Sequence, residues 1–376
     1  MRLPVIQRRA ARSVRLTNRV GPAGAVVIGG DAPVSVQSMT NTRTADAEAT
    51  VAQIEELAAA GADVVRVAVP TPADTAALPA ILARAGVPIV ADVHFHFDRA
   101  LEAIDAGVAK IRLNPGNIRD REQVRRVIAR AAEAGVAIRV GVNEGSIVDR
   151  SDAARHEAEL QRPLHELMVE KLATYLEAFE EAKFENLVLS AKSHDAVTCI
   201  EVNRLMARRW DRPLHLGVTH AGTPASGAIR SAAALGTLLA EGIGETLRIS
   251  YAGDPVREVE AAVELLASLR LRKRRGIELI ACPTCGRIQM DMAPVAEAIR
   301  AALSDVVEPV TVAVMGCVVN GPGEAEGADV AVCAGKGKAL LYRRGHKVRT
   351  LKADEIVPAV VAEVRQAAAE MRTSEE

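Results

Sequence analysis

The sequence has few aromatic residues, almost no net charge, few cysteines and no long apolar run. Four Phe, three Tyr and one Trp in 376 residues argue against a platform for single-stranded nucleic acid, which stacks bases on aromatic rings. Because 47 basic residues face 48 acidic ones, we expect no binding of nucleic acid or membrane through bulk charge. No segment approaches the roughly 18 apolar residues of a transmembrane helix. The sequence therefore predicts no nucleic-acid partner and no membrane partner.

The cysteines and the N-terminus indicate where the protein works. Five cysteines at unequal spacing do not form the even set of a secreted disulfide framework. The first twenty residues carry six arginines and no acid, as organelle transit peptides do, but they contain one Ser and lead directly into a predicted hairpin. We therefore expect a folded N-terminus and a cytoplasmic location, where paired cysteines commonly bind metals or act in redox chemistry.

Short apolar runs alternate with Ala-rich helical segments through the first 255 residues. This alternation predicts parallel strand pairing, and eight units in roughly 250 residues are typical of a (β/α)8 TIM barrel. A doubly wound sheet is the alternative, but no G-x-G-x-x-G follows the first strand. The predicted strands are 34–40, 63–70, 88–95, 109–116, 137–145, 186–193, 213–222 and 246–253, with a charged helical excursion at 147–183.

A basic segment at 268–276 precedes a tail of different character, which holds four of the five cysteines. The sequence predicts two domains, a barrel over 1–267 and a small α+β domain over 268–376. In the tail we predict strands at 309–316, 328–335 and 338–345, a helix at 293–303 and another helix from about residue 353.

Polar residues lie at the predicted carboxyl ends of the barrel strands, where TIM-barrel active sites lie. Residues two apart on a strand share a face, and Arg is suited to bidentate contacts with phosphate oxygens. Five cations at one mouth therefore predict a polyanionic substrate, most simply a diphosphate. The alternative is that each Arg pairs with an acid on a neighbouring strand. The residues are Arg66, Asp92 with His94, Arg112 with Asn114, Arg139 with Asn143, Lys192, His220, and Arg248 with Ser250.

The barrel residues are open to two other interpretations. The pair of histidines in DVHFH is typical of metal-dependent amidohydrolase barrels. Those enzymes carry the pair on the first strand, whereas here it follows the third, and His215 and His220 share the seventh. Lys192 could form a Schiff base, but among four arginines a phosphate partner is the simpler role.

The tail contains a candidate metal site. Cys282 and Cys285 form a Cys-x-x-Cys motif, which serves zinc, iron–sulfur and redox sites alike. Cys317 offers a third thiolate, and the following NGPG turn brings Glu324 back toward it. Structural zinc requires four N or S ligands, whereas three Cys and an oxygen suit a cluster with one exchangeable position. Cys333 is the alternative fourth ligand, but its apolar run is typical of a buried core thiol.

Several motifs together resemble one enzyme family over about residues 10–370. CPTCGR, GCVVNGPGE, VQSMTNT, IRLNPGNI, HLGVTHAG and EGIGETLRIS resemble the bacterial 4-hydroxy-3-methylbut-2-enyl diphosphate synthases. The resemblance implies a TIM barrel followed by an iron–sulfur domain, a homodimer, and electrons from flavodoxin or ferredoxin. It also implies an oxidoreductase of isoprenoid biosynthesis that reductively opens and dehydrates 2-C-methyl-D-erythritol 2,4-cyclodiphosphate.

The resemblance implies roles for particular residues. Cys282, Cys285 and Cys317 would hold a [4Fe–4S] cluster, with Glu324 as the displaceable fourth ligand. Asp92 and Asn114 would lie near the reacting carbons. The diphosphate would be bound by Arg66, Arg112, Arg139, Asn143, Lys192, Arg248 and Ser250.

One position departs from the family pattern. His220 stands where the family has a glutamate that assists proton transfer, and a histidine can also move protons. We therefore expect an active enzyme. The alternatives are a catalytically silent paralogue and a non-redox phosphate-ester-binding barrel enzyme with structural zinc.

Overall fold

The computed structural model describes residues 5–93, 96–113, 120–147, 161–283, 285–317, 319 and 321–375. The chain divides into two compact units, Met1–Arg272 and Lys273–Glu376. Within the described ranges, no helix is long and apolar enough to cross a membrane.

A short hairpin covers the end of the barrel at which the parallel strands begin. Val14–Leu16 (β1) pairs antiparallel with Val26–Ile28 (β2). Its buried side chains pack against apolar residues at the start of the barrel strands, among them Val64, Val90 and Val188. This end of the barrel is therefore lined mainly by apolar side chains.

The described strands of the first unit form a parallel barrel. They are Ser35–Met39 (β3), Val64–Ala68 (β4), Ile89–Val93 (β5), Lys110–Leu113 (β6), Ala137–Asn143 (β7), Leu187–Lys192 (β8), His215–Leu216 (β9) and Thr246–Leu247 (β10). The sheet order is β8-β7-β6-β5-β4-β3-β10-β9, and a parallel bridge from Leu189 to Leu214 joins its two ends. The TIM-barrel prediction is confirmed.

Capping residues and glycines in the sequence determine where the helices begin and end. Asp46 caps the first helix by accepting from the Ala49 N–H at 3.1 Å. Gly61, Gly107 and Gly135 end three helices with positive φ, a conformation that favours glycine. The helices are Ala47–Ala60 (α1), Pro72–Leu82 (α2), Phe97–Ala106 (α3), Arg121–Ala134 (α4), Leu164–Glu181 (α5), Ala196–Arg209 (α6), Pro224–Ala240 (α7) and Pro255–Ser268 (α8).

The last two barrel strands are much shorter than predicted. β9 ends at Leu216 because the chain then turns, and His220 takes the left-handed region with φ of 51°. After β10 the Arg248 N–H still donates to the Leu216 carbonyl of β9 at 3.0 Å, but the chain then leaves the sheet, and the Tyr251 N–H donates to the Glu258 side chain on α8 at 3.0 Å. Sequence periodicity does not show either departure.

The second unit is a five-stranded mixed sheet covered by helices. The strands are Glu278–Ala281 (β11), Thr311–Met315 (β12), Val330–Gly335 (β13), Lys338–Arg343 (β14) and His346–Leu351 (β15), in that spatial order. The helices are Ala293–Ala302 (α9), Gly321–Ala325 (α10) and Ile356–Glu375 (α11). β11 and β15 were not predicted, because both are edge strands with mainly exposed side chains and lack an apolar alternation.

Candidate functional site

The barrel strands bring two arginines to one buried acid. Asp92 on β5, which is 2% exposed, lies 3.2 Å from Arg112 Nη1 and 3.6 Å from Arg66 Nε. Burial lowers the pKa of Arg66 most, Asp92 opposes this effect, and the charges of Arg248 and Arg112 add to it; the resulting pKa is about 10. One carboxylate thus partly compensates two cations.

Arg139 is the least satisfied of these cations. It lies beside Arg112 in the register of β6 and β7 and is 2% exposed. Its Nε and Nη1 have no hydrogen-bond partner among the described residues. Burial, followed by the charges of Arg66 and Arg112, lowers the pKa of Arg139 well below its ordinary value. Buried donors of this kind call for an anionic acceptor.

Lys192 adds a further cation at the end of β8. It lies beside Asn143 in the register of β7 and β8, and its Nζ would lie 2.5 Å from a Cβ on Gly217. A Cβ at position 217 would also lie 2.9 Å from the Arg248 carbonyl oxygen, so glycine suits this close approach. Burial and the neighbouring guanidinium groups, first that of Arg139, lower the pKa of Lys192 well below its ordinary value.

Arg248 is bound by an acid on one of the helices that surround the strands. Its Nη2 donates to Glu258 on α8 at 2.9 Å. Its Nη1 lies 3.5 Å from Met39 Sδ, which also accepts from Arg66 at 2.9 and 3.1 Å. A thioether is a weak acceptor, so these guanidinium groups keep most of their capacity for a stronger one.

The ion pairs at the mouth test the alternative that each of the five cations pairs with an acid. Arg66, Arg112 and Arg248 do form ion pairs. Within the part of the chain that the structure describes, Arg139 and Lys192 form none. Among the described residues, cationic side chains at the mouth therefore outnumber acidic ones, which favours an anionic ligand.

The Glu144 carboxylate links the carboxyl ends of β7 and β8 through hydrogen bonds. Glu144, in the 3-10 turn that follows β7, accepts from the Ser193 hydroxyl and contacts the His194 ring, and it accepts from the His194 N–H at 3.1 Å. Ser193 directly follows Lys192, and Glu144 directly follows Asn143. We call Glu144, Ser193 and His194 the β7–β8 clasp; it fixes the two predicted ligand positions relative to each other.

The remaining predicted barrel residues have different surroundings. The Ser250 hydroxyl donates to the Val218 carbonyl at 3.0 Å. His220 is exposed on the loop after β9. His94 and Asn114 lie outside the described residues.

Two buried residues below the mouth were not singled out from the sequence as site residues. Lys110 and His215 are 0% exposed, and Lys110 Nζ and both His215 ring nitrogens have no hydrogen-bond partner among the described residues. Lys110 is two residues before Arg112 on β6, and strand alternation could have placed it on the same face.

The second unit collects three thiols near one arginine. Cys282 follows β11 and Cys317 follows β12, and these strands are parallel neighbours. A hydrogen bond to Cys285, followed by the charges of Cys285, Cys317 and Cys282, raises the pKa of Arg287, and hydrogen bonds from Arg287 lower the pKa of the Cys285 thiol. Thiolate is thereby favoured. Among the described residues, no three Cys, His, Asp or Glu groups meet around a single ion.

Cys333 and Glu324 differ from these three cysteines. Cys333 is 0% exposed on β13 and packs with Ala313, Met315 and Ala331. Burial raises the pKa of its thiol to about 11, which disfavours the ligating thiolate. Glu324 lies on α10; its side chain is outside the described structure.

Comparison with known proteins identifies relatives across both units. The model of the GcpE TIM-barrel domain matches residues 17–263, and the model of the GcpE protein C-terminal domain matches residues 278–366. A dihydropteroate synthase from Stenotrophomonas maltophilia covers 63% of this chain and 92% of its own at 19% identity. Its TM-score of 0.44 is too low to bear on function.

Three curated relatives share the name 4-hydroxy-3-methylbut-2-en-1-yl diphosphate synthase (flavodoxin). The protein of Geobacter sulfurreducens is 47% identical over 92% of this chain and 97% of its own. The protein of Tropheryma whipplei strain Twist is 44% identical over 97% and 93%. The protein of Salinispora tropica is 45% identical over 98% and 91%. With both family domains matched in order, the chain belongs to the GcpE family.

Proposed function

We propose that this chain is an iron–sulfur oxidoreductase that converts 2-C-methyl-D-erythritol 2,4-cyclodiphosphate into 4-hydroxy-3-methylbut-2-enyl diphosphate, an isoprenoid precursor. The activity agrees with the name of its relatives. The observation that carries the proposal is the excess of cations at the barrel mouth, where buried Arg139 lacks hydrogen-bond partners for Nε and Nη1 among the described residues. The oxygens of a diphosphate supply such partners.

The chain's own residues bind and orient this anion. Guanidinium groups offer paired donors to phosphate oxygens, and the clasp holds Asn143 and Lys192 at a fixed separation. In this proposal the diphosphate is bound by Arg66, Arg112, Arg139, Asn143, Lys192, Arg248 and Ser250.

The cations also stabilise charge that develops in the reaction. Ring opening breaks a carbon–oxygen bond, and the phosphate oxygen keeps the electron pair. Two electrons enter the substrate and form the carbon–carbon double bond, while the adjacent hydroxyl takes one proton and leaves as water. The diphosphate therefore gains one negative charge, and preorganised guanidinium groups stabilise it.

Protons require groups near the reacting carbons. Asp92 and Asn114 are proposed to lie there. His220 is proposed to take the place of the family glutamate in proton transfer, since an imidazole can both donate and accept.

Cys282, Cys285 and Cys317 are the proposed cluster ligands, with Glu324 as the fourth. A bound [4Fe–4S] cluster supplies the electrons one at a time. The donor set fits the cluster, because soft thiolates suit iron–sulfur sites and Arg287 favours the ionised Cys285. Each iron takes its own ligand, so the thiols need not meet at one point.

The electron donor and the assembly are proposals of the same kind. Flavodoxin appears in the names of the relatives, and we propose flavodoxin or ferredoxin as donor. We also propose a homodimer located in the cytoplasm.

The test is turnover with a chemical reductant, so that the identity of the donor does not matter. The full-length protein is reconstituted anaerobically with iron and sulfide, and the visible spectrum reports the cluster. Consumption of the cyclodiphosphate and appearance of the linear diphosphate are then followed by phosphorus NMR.

Each outcome assigns a different function. Product formation supports the reductase and a working His220. A stable cluster without product contradicts it and favours a silent paralogue, in which case His220→Glu is the next variant. A colourless, zinc-loaded protein contradicts it in favour of a non-redox barrel enzyme.

A further inference from the structure

Lys110 is a buried amine that the proposed reaction leaves without a role. It lies at the start of β6 with 0% exposure, and its Nζ has no hydrogen-bond partner among the described residues. Its neighbours in the strand register are Val90 on β5 and Ala137 on β7, both apolar. An amine buried this way in an apolar barrel base requires an explanation.

Its position is directly below the predicted anion site. Lys110 precedes Arg112 by two residues on the same face of β6, a rise of about 7 Å along the strand. The charges of Arg139 and Arg66 reach it, and its own charge reaches His215. The charged and titratable groups that interact in this part of the barrel include Arg66 on β4, Asp92 on β5, Arg112 on β6, Arg139 on β7, Lys192 on β8, His215 on β9 and Arg248 after β10.

These neighbours make an ammonium unfavourable in the free protein. Burial is the largest cause, followed by Arg139 and Arg66, and together they lower the pKa of Lys110 well below its ordinary value. A lysine, unlike an arginine, can lose its proton in such surroundings. Arg139 keeps its charge, so of these two groups only the amine can respond to the crowding by losing its proton.

We propose that Lys110 is a further residue of the anion site, uncharged in the free protein and protonated when a diphosphate binds above it. When the diphosphate is bound, the ammonium adds a positive charge beneath it, and the negative charge of the diphosphate compensates this positive charge. This inference rests on the proposed binding of a diphosphate at the barrel mouth. It adds that anion binding is coupled to proton uptake at one identified atom, Lys110 Nζ.

Proton uptake distinguishes this role from a merely structural one. Inorganic diphosphate is titrated into the full-length holoprotein by calorimetry, in two buffers of different ionisation enthalpy at the same pH. The dependence of the observed heat on the buffer gives the number of protons taken up. We expect the parent protein to take up about one proton more than Lys110→Met. Uptake by Lys192 and protonation of the probe itself are common to both proteins and cancel.

The affinity for inorganic diphosphate should also decrease when Lys110 is replaced. At neutral pH we expect Lys110→Met to bind inorganic diphosphate about tenfold more weakly, because uptake of about one proton requires the pKa of Lys110 in the complex to lie about one unit above the pH, and one unit is a factor of ten. At a pH high enough to keep Lys110 neutral in the complex, the two proteins should bind equally. Lys171→Met on α5 is the matched control, because Lys171 lies over the Tyr175 ring at 5.8 Å rather than in the barrel, and it should behave as the parent.

The possible failures are separable. Equal proton uptake by the parent and Lys110→Met, with binding retained, overturns the inference. Uptake that persists in Lys110→Met but disappears in His215→Gln also overturns it, because the proton then belongs to His215. If the parent protein does not bind diphosphate, the proposed anion site itself fails. Circular dichroism checks folding, and Lys110→Gln supplies the same comparison if the Met variant does not fold.

Discussion

Arg139 shows how a single residue can be unfavourable for the fold and necessary for binding. Its guanidinium is buried between other cations, and two of its nitrogens lack partners among the described residues. A guanidinium does not lose its proton in proteins, so its desolvation reduces the free energy of unfolding. Such residues persist where a ligand compensates them.

We therefore predict opposite effects of Arg139→Met on stability and on binding. Replacing a poorly compensated buried charge with an apolar side chain should raise the free energy of unfolding by about 2 kcal/mol. Loss of the charged hydrogen bonds should weaken diphosphate binding about 30-fold. Denaturant unfolding and calorimetric titration measure the two quantities. A variant that is both less stable and unchanged in binding would show that Arg139 has a structural partner instead.

The cysteines of the second unit differ by their surroundings. Cys317 follows a strand end near Arg287, whereas Cys333 lies within β13 among apolar residues. The raised pKa of Cys333, about 11, keeps its thiol protonated at neutral pH.

We predict that Cys333→Ala keeps the cluster and that Cys317→Ala loses it. Alanine fits the Cys333 position, so the change costs stability through packing, about 1 kcal/mol, without removing a ligand. Iron content and visible absorbance after anaerobic reconstitution measure the difference. Loss of iron in Cys333→Ala with a folded protein would make Cys333 a ligand in place of Glu324.

At the scale of elements, the β7–β8 clasp connects two strands beyond their last hydrogen-bonded pair. Strand pairing ends at Asn143 and Lys192, and Glu144 then accepts from Ser193 and His194. Burial of the carboxyl opposes ionisation, but hydrogen bonds from Ser193 and His194 outweigh it and lower the pKa of Glu144. The clasp is therefore an acid-sensitive contact.

We predict that the stability difference between the parent and Glu144→Gln depends on pH. Because the pKa of Glu144 is lower in the folded state than the ordinary value of 4.5, its contribution is complete above that value and is lost as the pH falls through the folded pKa. The parent should be more stable than the variant by about 1 kcal/mol at neutral pH, with the difference closing in acid. Thermal melts from pH 7 down to about pH 3 measure it; a difference independent of pH would exclude the ionised clasp.

At the scale of the whole molecule, the two units have separate apolar cores. One core joins the barrel strands to helices α1–α8. The other joins β12–β15 to α9 and α11. Each is large enough to be a domain by itself.

We predict that residues 1–272 fold alone and bind inorganic diphosphate without iron. The anion site, Glu258 and the clasp all lie within this unit, so deleting residues 273–376 leaves their contacts intact. A cooperative thermal transition and calorimetric binding within about threefold of the full-length protein are expected. An aggregated fragment, or a folded fragment that does not bind, would show that the anion site needs the rest of the chain.

Local patterns in the sequence determined much of the protein. The alternation of apolar runs with helical segments indicated the barrel, since strand and helix periods are properties of neighbouring residues. The cations at the strand ends and the Cys-x-x-Cys motif were visible for the same reason. Asp92, Arg112 and Arg139 were placed at one mouth because parallel strands end at the same edge.

The tertiary structure decided which charges compensate each other. Asp92 serves both Arg66 and Arg112, and Glu258 reaches Arg248 from a helix outside the barrel. It also decided that Lys110 is buried without a partner among the described residues. These facts depend on strand register, side-chain direction and desolvation, which join residues far apart in sequence. A one-dimensional pattern therefore shows where the cations are, while only the folded chain shows which of them remain available for an anion.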